Sequence, residues 1–293
     1  MKSKDKITVR TSGGVGTRRP TMGARRPTGG TIRPTMGAIR SAMWMSRPVM
    51  ATVTTEGAGS RHIEKLPLVA MKEALDNGGR VTLLIRHAER PPLDPTDRTF
   101  GASLPLTENG WRWARNFGLM LANNLLPQTV AFYASETFRT LQTACGMAMG
   151  LEGVGTGQSI ERKVRLAEFL GGESPFFGNV EDRMALAAEG DYHNRLNDYF
   201  HSGKLRGFKP LKRAAKRMAR RLDGLHEKGW PFVVAVTHDI NVAAFLAARG
   251  VVDSFSDETW PGYLDAAALI KRDRKNEECL YFRWENDMGA IHL

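Results

Sequence analysis

VTLLIRHAERPP, residues 81–92, is the stretch of sequence that decides the fold. Its first five residues are apolar apart from one threonine, and they follow a Gly-Gly turn, which is typical of a strand buried on both faces of a sheet. Basic residues and a histidine follow this strand, namely Arg86, His87 and Arg90. In open α/β sheets ligands bind beyond the carboxyl ends of the strands. The stretch therefore predicts both a sheet and the edge at which chemistry takes place.

The rest of the chain repeats this pattern of strands and helices. PFVVAVT, residues 231–237, is a second buried strand, which His238 follows directly, and residues 131–135 are a third strand. Apolar periodicity predicts helices at 67–77, 107–123, 136–149, 210–228 and 239–249. Two late strands are predicted at 266–271 and 280–284. Strands that alternate with helices predict an α/β fold. We expect a three-layer sandwich with a mostly parallel central sheet, helices on both faces and a small helical cap.

Composition places the chain among ordinary soluble globular proteins. It has 293 residues, of which 42% are hydrophobic and 25% are charged. No run of about 18 apolar residues occurs, so no membrane span is expected. The two cysteines, Cys145 and Cys279, match no zinc spacing and make a disulfide framework unexpected. A reducing, cytoplasmic location is the simplest setting.

Positive charge is concentrated at the start of the chain. Residues 1–65 hold 13 Lys+Arg and 3 Asp+Glu, a balance of +10, whereas the remainder holds 29 and 28, a balance of +1. Arginine recurs every seven residues there, and Pro and Gly interrupt each unit. We expect a disordered basic tail at 1–62 and a globular domain at 63–293. The tail is either a dispensable or mis-assigned extension, the favoured interpretation, or an arm for nucleic acid or another acidic partner.

The ends of three strands carry side chains suited to phosphate. The third segment, SETFRTLQTA at 135–144, is again a strand-to-helix junction and contains Arg139. The fixed fork of donors on arginine matches phosphate oxygens, and helix N-termini add oriented N–H groups. Three arginines and two histidines at neighbouring strand ends predict a pocket for a dianionic phosphoryl group: Arg86, Arg90, Arg139, His87 and His238.

These segments resemble the motifs of the histidine phosphatase superfamily, which includes phosphoglycerate mutases and histidine acid phosphatases. RHAERPP at 86–92 resembles Arg-His-Gly-x-Arg-x-Pro, with Ala88 in place of Gly. LTENG at 106–110 resembles the Leu-Thr-x-x-Gly helix start, and SETFRTLQTA resembles Ser-x-x-x-Arg-Thr-x-Gln-Thr-Ala. The pair His238-Asp239 resembles the His-Asp pair of the acid phosphatase branch. The motifs occur in the right order over roughly 81–285, and the resemblance is closer to the acid phosphatase branch.

The resemblance implies a phosphomonoester hydrolase that works through a covalent phosphohistidine on His87. The phosphate-binding residues it implies are Arg86, Arg90, Arg139 and His238. Asp239 is the favoured proton donor to the leaving alcohol. One alternative is a phosphoglycerate mutase-like phosphoryl transfer with Glu168 as the acid, because Glu168 stands where the mutase branch places its carboxylate. Another is a non-catalytic phosphate-binding protein.

The sequence also limits the partners of the site. We expect no cofactor and no metal, because the arginines supply the positive charge and no His, Asp or Glu cluster has ligand spacing. The expected substrate is a small phosphorylated metabolite, whereas the oligomeric state cannot be read from the sequence. In this superfamily the segment corresponding to the cap, about 171–204, covers the site and sets substrate choice. Its candidates are Phe176, Phe177, Arg183, Tyr192 and Arg195.

Two further features fall outside these motifs. The helix predicted at 210–228 is strongly basic, with an apolar stripe at helical spacing. We favour a solvated face for its cations, and a nucleic-acid or acidic-lipid patch is the alternative. Four histidines have no motif around them and are predicted to lie on the surface: His193, His201, His226 and His292.

Overall fold

The computed structural model describes the part of the chain that carries all the predicted motifs. The described residues are 67–94, 97, 99, 101–125, 129–152, 159–160, 163–226, 229–273 and 276–284. The predicted tail, 1–62, lies outside them, as does His292. No helix among these residues has the length and apolar character needed to cross a membrane.

Helices and strands alternate along the described chain. The helices are α1 Pro67–Asp76, α2 Glu108–Leu125, α3 Phe138–Glu152, α4 Val180–Ala188, α5 Tyr192–Ser202, α6 Leu211–Gly224 and α7 Asp239–Ala248. The strands are β1 Arg80–Arg86, β2 Thr129–Ala134, β3 Ser159–Ile160, β4 Arg165–Leu166, β5 Phe232–Thr237, β6 Ala266–Lys271 and β7 Glu277–Phe282. A short 3₁₀ helix, Glu168–Leu170, follows β4. Helices α4 and α5 fall in the predicted cap segment.

The strands form one sheet with a parallel centre and an antiparallel edge. Its order is β3-β2-β5-β1-β6-β7, and β4 also pairs with β2. Strands β1 and β2 both run parallel to β5, whereas β6 is antiparallel to β1 and to β7. Ile85 and Ala134 both lie opposite Val236. Strands β1, β2 and β5 therefore end at the same edge of the sheet.

Hydrophobic side chains cover the sheet on both faces. Alternate residues of β1 point to opposite faces, so Leu83 and Leu84 belong to different clusters. Phe117 of α2 lies in the first cluster with residues of α1 and α3. Met218 of α6 and Phe245 of α7 lie in the second. The predicted α/β three-layer arrangement, with a mostly parallel sheet, is confirmed.

The start of α2 is built around a threonine and a glycine. The Thr107 hydroxyl accepts a hydrogen bond from the Gly110 N–H at 2.9 Å, and it donates one to the carboxylate of Glu89. A Cβ on Gly110 would lie 2.1 Å from the Glu89 carbonyl oxygen. Only glycine allows this approach, so the LTENG motif holds the first turn of α2 against the loop that follows His87.

One predicted surface histidine is buried. His226 is 5% exposed, and its Nε2 lies 2.7 Å from the Thr82 hydroxyl while its Nδ1 lies 2.5 Å from the Trp230 carbonyl oxygen. The surface prediction is wrong here because Thr82 places a polar group inside the core, and His226 satisfies it. His193 and His201 are exposed, as predicted.

Candidate active site

Three neighbouring strand ends position the candidate residues. The His87 N–H donates to the Thr237 carbonyl oxygen at 3.0 Å, and the Ser135 N–H donates to the Val236 carbonyl oxygen at 3.2 Å. The sheet ladder therefore continues one residue beyond β1 and β2 along β5. This continuation brings His87, His238 and the first turn of α3, which carries Arg139, to one place on the edge of the sheet.

His87 is held in a single tautomer. It is 3% exposed, and its Nδ1 lies 2.8 Å from the Ala88 carbonyl oxygen. A carbonyl can only accept a hydrogen bond, so Nδ1 carries the proton and Nε2 presents a lone pair. The Arg139 Nε donates to this Nε2 at 3.1 Å. The neighbouring Ala88 N–H donates to the Thr143 hydroxyl at 3.0 Å, which fixes the loop.

The surroundings keep His87 neutral. Burial lowers the pKa of His87 well below its ordinary value, and electrostatic interactions with His238, Arg139 and Arg86 lower it further. The hydrogen bond to Ala88 raises the pKa by less than these effects lower it. The imidazole therefore keeps its Nε2 lone pair at neutral pH, which is the form that a nucleophile requires.

Arg139 lies between the two histidines. Its Nη1 donates to the Gly101 carbonyl oxygen, and its Nη2 lies 3.4 Å from Nδ1 of His238. The residue is 6% exposed. Burial, and then the positive charge of Arg90, lowers the pKa of Arg139 to about 10. The guanidinium thus remains charged at neutral pH, and its Nε and Nη2 face the two histidines.

His238 is linked to a chain of hydroxyl groups. Its Nε2 lies 3.2 Å from the Ser135 hydroxyl, which lies 2.9 Å from that of Thr140. The Arg139 Nη2 can only donate, so Nδ1 of His238 accepts and its Nε2 carries the hydrogen that is donated to Ser135. Burial and the charge of Arg139 lower the pKa of His238. This histidine is also neutral, with Nδ1 as an acceptor.

Arg86 and Asp239 form an ion pair beside the histidines. The Arg86 Nη2 lies 3.3 Å from Oδ2 of Asp239. The Arg86 Nη1 donates to the Pro261 carbonyl oxygen at 2.6 Å, and the guanidinium lies 4.5 Å from the ring centre of Tyr263. Burial raises the pKa of Asp239, but Arg86, the Ile240 N–H, His238 and Trp260 together lower it by more. The Asp239 side chain is 35% exposed, so solvent can also reach this ionised carboxylate.

Arg90 and Glu168 stand differently in the structure. Arg90 is close enough for its charge to lower the pKa of Arg139, and its Nη1 donates to the Pro91 carbonyl oxygen at 2.7 Å. Glu168 is exposed, and no hydrogen bond or ion pair among the described residues joins its carboxylate to the cluster. Its segment is nevertheless fixed next to the site, because the Leu170 carbonyl oxygen accepts from the Thr237 hydroxyl at 2.5 Å.

The structure adds residues that the sequence did not indicate. The Tyr263 ring centre lies 5.8 Å from that of His87. Tyr263 belongs to the irregular segment between α7 and β6, where no periodicity or motif could have identified it.

The cap candidates are placed in different surroundings. Burial raises the pKa of Tyr192, and the nearby charge of Asp239 raises it further. Phe176 is buried in the core, and Arg195 is exposed.

The arrangement can bind a phosphoryl group and attack it. Arginine N–H groups and the His87 lone pair lie in one cluster, and this combination suits nucleophilic attack on a phosphorus whose oxygens are held by donors. Within the described part of the chain, no group of three or more His, Cys, Asp or Glu side chains is placed to hold a metal ion.

The comparison with known families agrees with this chemistry. Residues 82–287 match the family model described as histidine phosphatase superfamily (branch 1), and the chain belongs to this superfamily. The predicted superfamily is therefore confirmed. Because the match is to branch 1, it gives no support to the closer resemblance to the acid phosphatase branch. No curated protein matches the chain in sequence.

Several solved structures are similar to the chain. One is a mycobacterial glucosyl-3-phosphoglycerate phosphatase, at 16% identity over 70% of this chain and 98% of that one, with a TM-score of 0.43. A phosphoglycerate mutase from Bacillus anthracis has 16% identity over 71% and 95%, with a TM-score of 0.43. A protein described as mycobacterial hydrolase 2 has 19% identity over 70% and 90%, with a TM-score of 0.45.

Proposed function

We propose that the protein is a phosphomonoester hydrolase that works through a covalent phosphohistidine on His87. The observation that carries the proposal is the neutral, buried His87 with its Nδ1 proton engaged by Ala88 and its Nε2 lone pair facing Arg139. Arg86, Arg90, Arg139 and His238 bind the phosphoryl oxygens in this proposal. The negative charge of the bound group raises the pKa of His238, so its Nδ1 takes up a proton and becomes a donor. The phosphoryl group replaces the contact between Arg139 and Nε2.

The reaction has two balanced steps. In the first, the Nε2 lone pair of His87 attacks phosphorus, the phosphorus–oxygen bond of the ester breaks, and Asp239 gives its proton to the leaving alkoxide. In the second, Asp239 takes a proton from water, whose oxygen attacks phosphorus and breaks the phosphorus–nitrogen bond. Inorganic phosphate leaves, His87 is again neutral, and Asp239 releases its proton to solvent and returns to the ionised form of the free protein.

Asp239 takes up its proton from solvent when the substrate binds. Arg86 and the Ile240 N–H lower the pKa of Asp239 in the free protein, which leaves the carboxylate ionised. A dianionic phosphoryl group bound to Arg86 weakens that attraction and places negative charge beside the carboxylate. Both effects raise its pKa. Asp239 therefore becomes a proton donor only in the complex.

A second candidate uses Glu168 as the acid in a phosphoglycerate mutase-like transfer. The observation that favours it is the attachment of its segment to the site through Leu170, whose carbonyl oxygen also accepts from Asn241 at 3.1 Å. The exposed carboxylate of Glu168 stands at the rim, where a substrate's leaving group could reach it. Contacts within the site favour Asp239, because Asp239 touches Arg86 directly.

The substrate and setting are further parts of the proposal. A small phosphorylated metabolite fits a pocket whose phosphate-binding groups are buried, such as Arg139. A cytoplasmic location fits the two cysteines, Cys145 and Cys279, which are both free thiols.

Phosphate release from a panel of phosphorylated metabolites, in the presence of a chelator, tests the hydrolase proposal. We expect wild type and His201→Ala, an exposed histidine, to release phosphate equally, and His87→Ala to release none above background. Turnover by His87→Ala, or turnover that disappears with the chelator, contradicts the proposal.

The choice between the two acids depends on the leaving group. An alkyl alkoxide needs a proton to depart, whereas a nitrophenolate hardly does. We expect Asp239→Asn to slow the phosphorylation burst on alkyl phosphates by about 10²–10⁴-fold and to affect nitrophenyl phosphate much less. Glu168→Gln is the matched control. If Glu168→Gln shows this dependence and Asp239→Asn does not, the second candidate replaces the first.

A further inference from the structure

Helix α6 carries five exposed cations, which we name the α6 basic face: Lys212, Arg213, Lys216, Arg217 and Arg220. The opposite side of the helix packs against the core of the protein. Its apolar residues, Leu211, Ala214, Ala215, Met218 and Leu222, are all buried. At 100° per residue the five cations span about 140° of the helix circumference. The face is therefore a continuous positive surface and not a scatter of single charges.

No acid neutralises this face within the described chain. None of its five residues forms an ion pair there, although the molecule forms such pairs elsewhere on its surface, for example Lys72 with Asp76 at 2.8 Å. The one acid on α6, Asp223, is already paired with Arg80 at 3.0 Å and Lys271 at 2.9 Å.

Like charges also repel each other along the helix. Lys212 and Lys216, Arg213 and Arg217, and Lys216 and Arg220 are all spaced four residues apart. Each such pair destabilises the helix by about 0.2–0.5 kcal/mol. Beyond residue 65 the chain is close to neutral overall, with 29 basic and 28 acidic residues. The concentration of cations on α6 thus reflects how the charges are placed and not an excess of positive charge in the domain.

The face is separate from the candidate active site. Lys212, Lys216 and Arg220 line one groove with Lys271 of β6, which lies opposite Arg80 at the start of β1. His87 follows the other end of that strand. Seven residues of strand separate the two positions by about 20 Å. A partner can therefore contact this part of α6 without entering the phosphoryl pocket.

We propose that the α6 basic face docks on the phosphate backbone of double-stranded nucleic acid. Its charge complements a polyanion with closely spaced phosphates. An anionic membrane fits less well, because the apolar residues of α6 are buried and cannot insert between lipids. Single strands fit less well too, since the face has no aromatic side chain on which a base could stack. The contact is independent of sequence and goes beyond the proposed hydrolase activity.

Binding of a labelled random-sequence DNA duplex to the full chain, followed by fluorescence anisotropy over a range of salt concentrations, tests this proposal. The test variant carries Lys212→Gln, Lys216→Gln, Arg217→Gln and Arg220→Gln. The matched control removes the same charge from exposed or partly exposed positions elsewhere, with Lys72→Gln, Arg112→Gln, Arg115→Gln and Lys163→Gln. Both variants retain the basic residues at 1–65 and lose the same number of positive charges. A difference in their DNA binding therefore reports where on the protein the charges were removed.

Each lost phosphate contact lowers the slope of log affinity against log salt by about 0.9. If all four cations contact phosphate, the test variant loses about 3.6 in slope and as much as about 10³-fold in affinity near 0.1 M salt. The control should lose less than about a third of that slope. Phosphatase activity on a small substrate and the thermal midpoint should be retained in the test variant, which shows that it is folded.

Equal binding by the test variant and the control overturns the proposal. So does a second result, obtained with vesicles of phosphatidylserine and phosphatidylcholine. If the substitutions abolish vesicle binding while duplex binding is unchanged, the face is a lipid-binding surface instead.

Discussion

Acidification should destabilise the protein because the site holds two histidines in their neutral form. The pKa values of His87 and His238 are lowered by burial and by neighbouring charges, so in the folded state both stay neutral well below pH 6.5. In the unfolded chain they take up protons below about pH 6.5. The unfolded state therefore binds more protons, and stability falls as pH falls through that value.

The size of the effect follows from this difference. Between about pH 7.5 and about pH 5, a histidine that is neutral only in the folded state costs about 2 kcal/mol of stability. His87 and His238 together give about 4 kcal/mol, a large share of the total stability of a typical domain. Burial also lowers the pKa of His226, which adds a contribution of the same sign.

Denaturant unfolding at the two pH values measures this loss. We expect His87→Gln and His238→Gln each to remove about 2 kcal/mol of the pH dependence, because glutamine does not titrate. His201→Gln changes an exposed histidine and should leave the dependence unchanged. The reasoning is refuted if wild-type stability is the same at both pH values, or if neither site variant reduces the difference.

Three further predictions concern stability and the tail. Arg139→Met should abolish turnover and stabilise the fold by about 1–2 kcal/mol. The lowered Arg139 pKa of about 10 corresponds to about 3 kcal/mol of unfavourable charge burial, and the lost hydrogen bonds offset about 1–2 kcal/mol of it. A loss of stability in urea unfolding contradicts this prediction. Gly110→Ala should cost about 1–3 kcal/mol, because its Cβ meets the Glu89 carbonyl oxygen, and an unchanged thermal midpoint would be inconsistent with that contact. Deleting residues 1–62 should leave kcat/KM on a small substrate within about tenfold, a limit equal to about 1.4 kcal/mol, and a larger loss would mean that the tail reaches the site.

The sequence predicts the buried strands well because their signal is local. β1 and β5 are continuous apolar runs that begin after turn residues, and their predicted and observed bounds differ by one residue. The helix start at Thr107 is also local, since the capping hydroxyl and Gly110 stand three residues apart. The order of the strands in the sheet could not be predicted in this way. The insertion of β6 against β1 depends on register between distant segments, which no local pattern encodes.

The same distinction separates the site residues that the sequence indicates from those it misses. His87 and His238 directly follow buried strands, so their shared position follows from the parallel sheet. Tyr263 reaches His87 from an irregular segment, and His226 is buried because it bonds Thr82 from another part of the chain. Both contacts depend on tertiary packing, and a single sequence does not contain that information in a readable form.

Rapid-quench trapping of the phosphorylated protein tests the central claim most directly. Wild type mixed with labelled phosphomonoester and quenched in alkali should carry phosphate that is stable in alkali and labile in acid. Peptide analysis should place it on Nε2 of His87, since Nδ1 is engaged by the Ala88 carbonyl oxygen. His87→Ala, folded as judged by its unfolding transition, should carry none. Label on any other residue, or equal label on His87→Ala, would contradict the account.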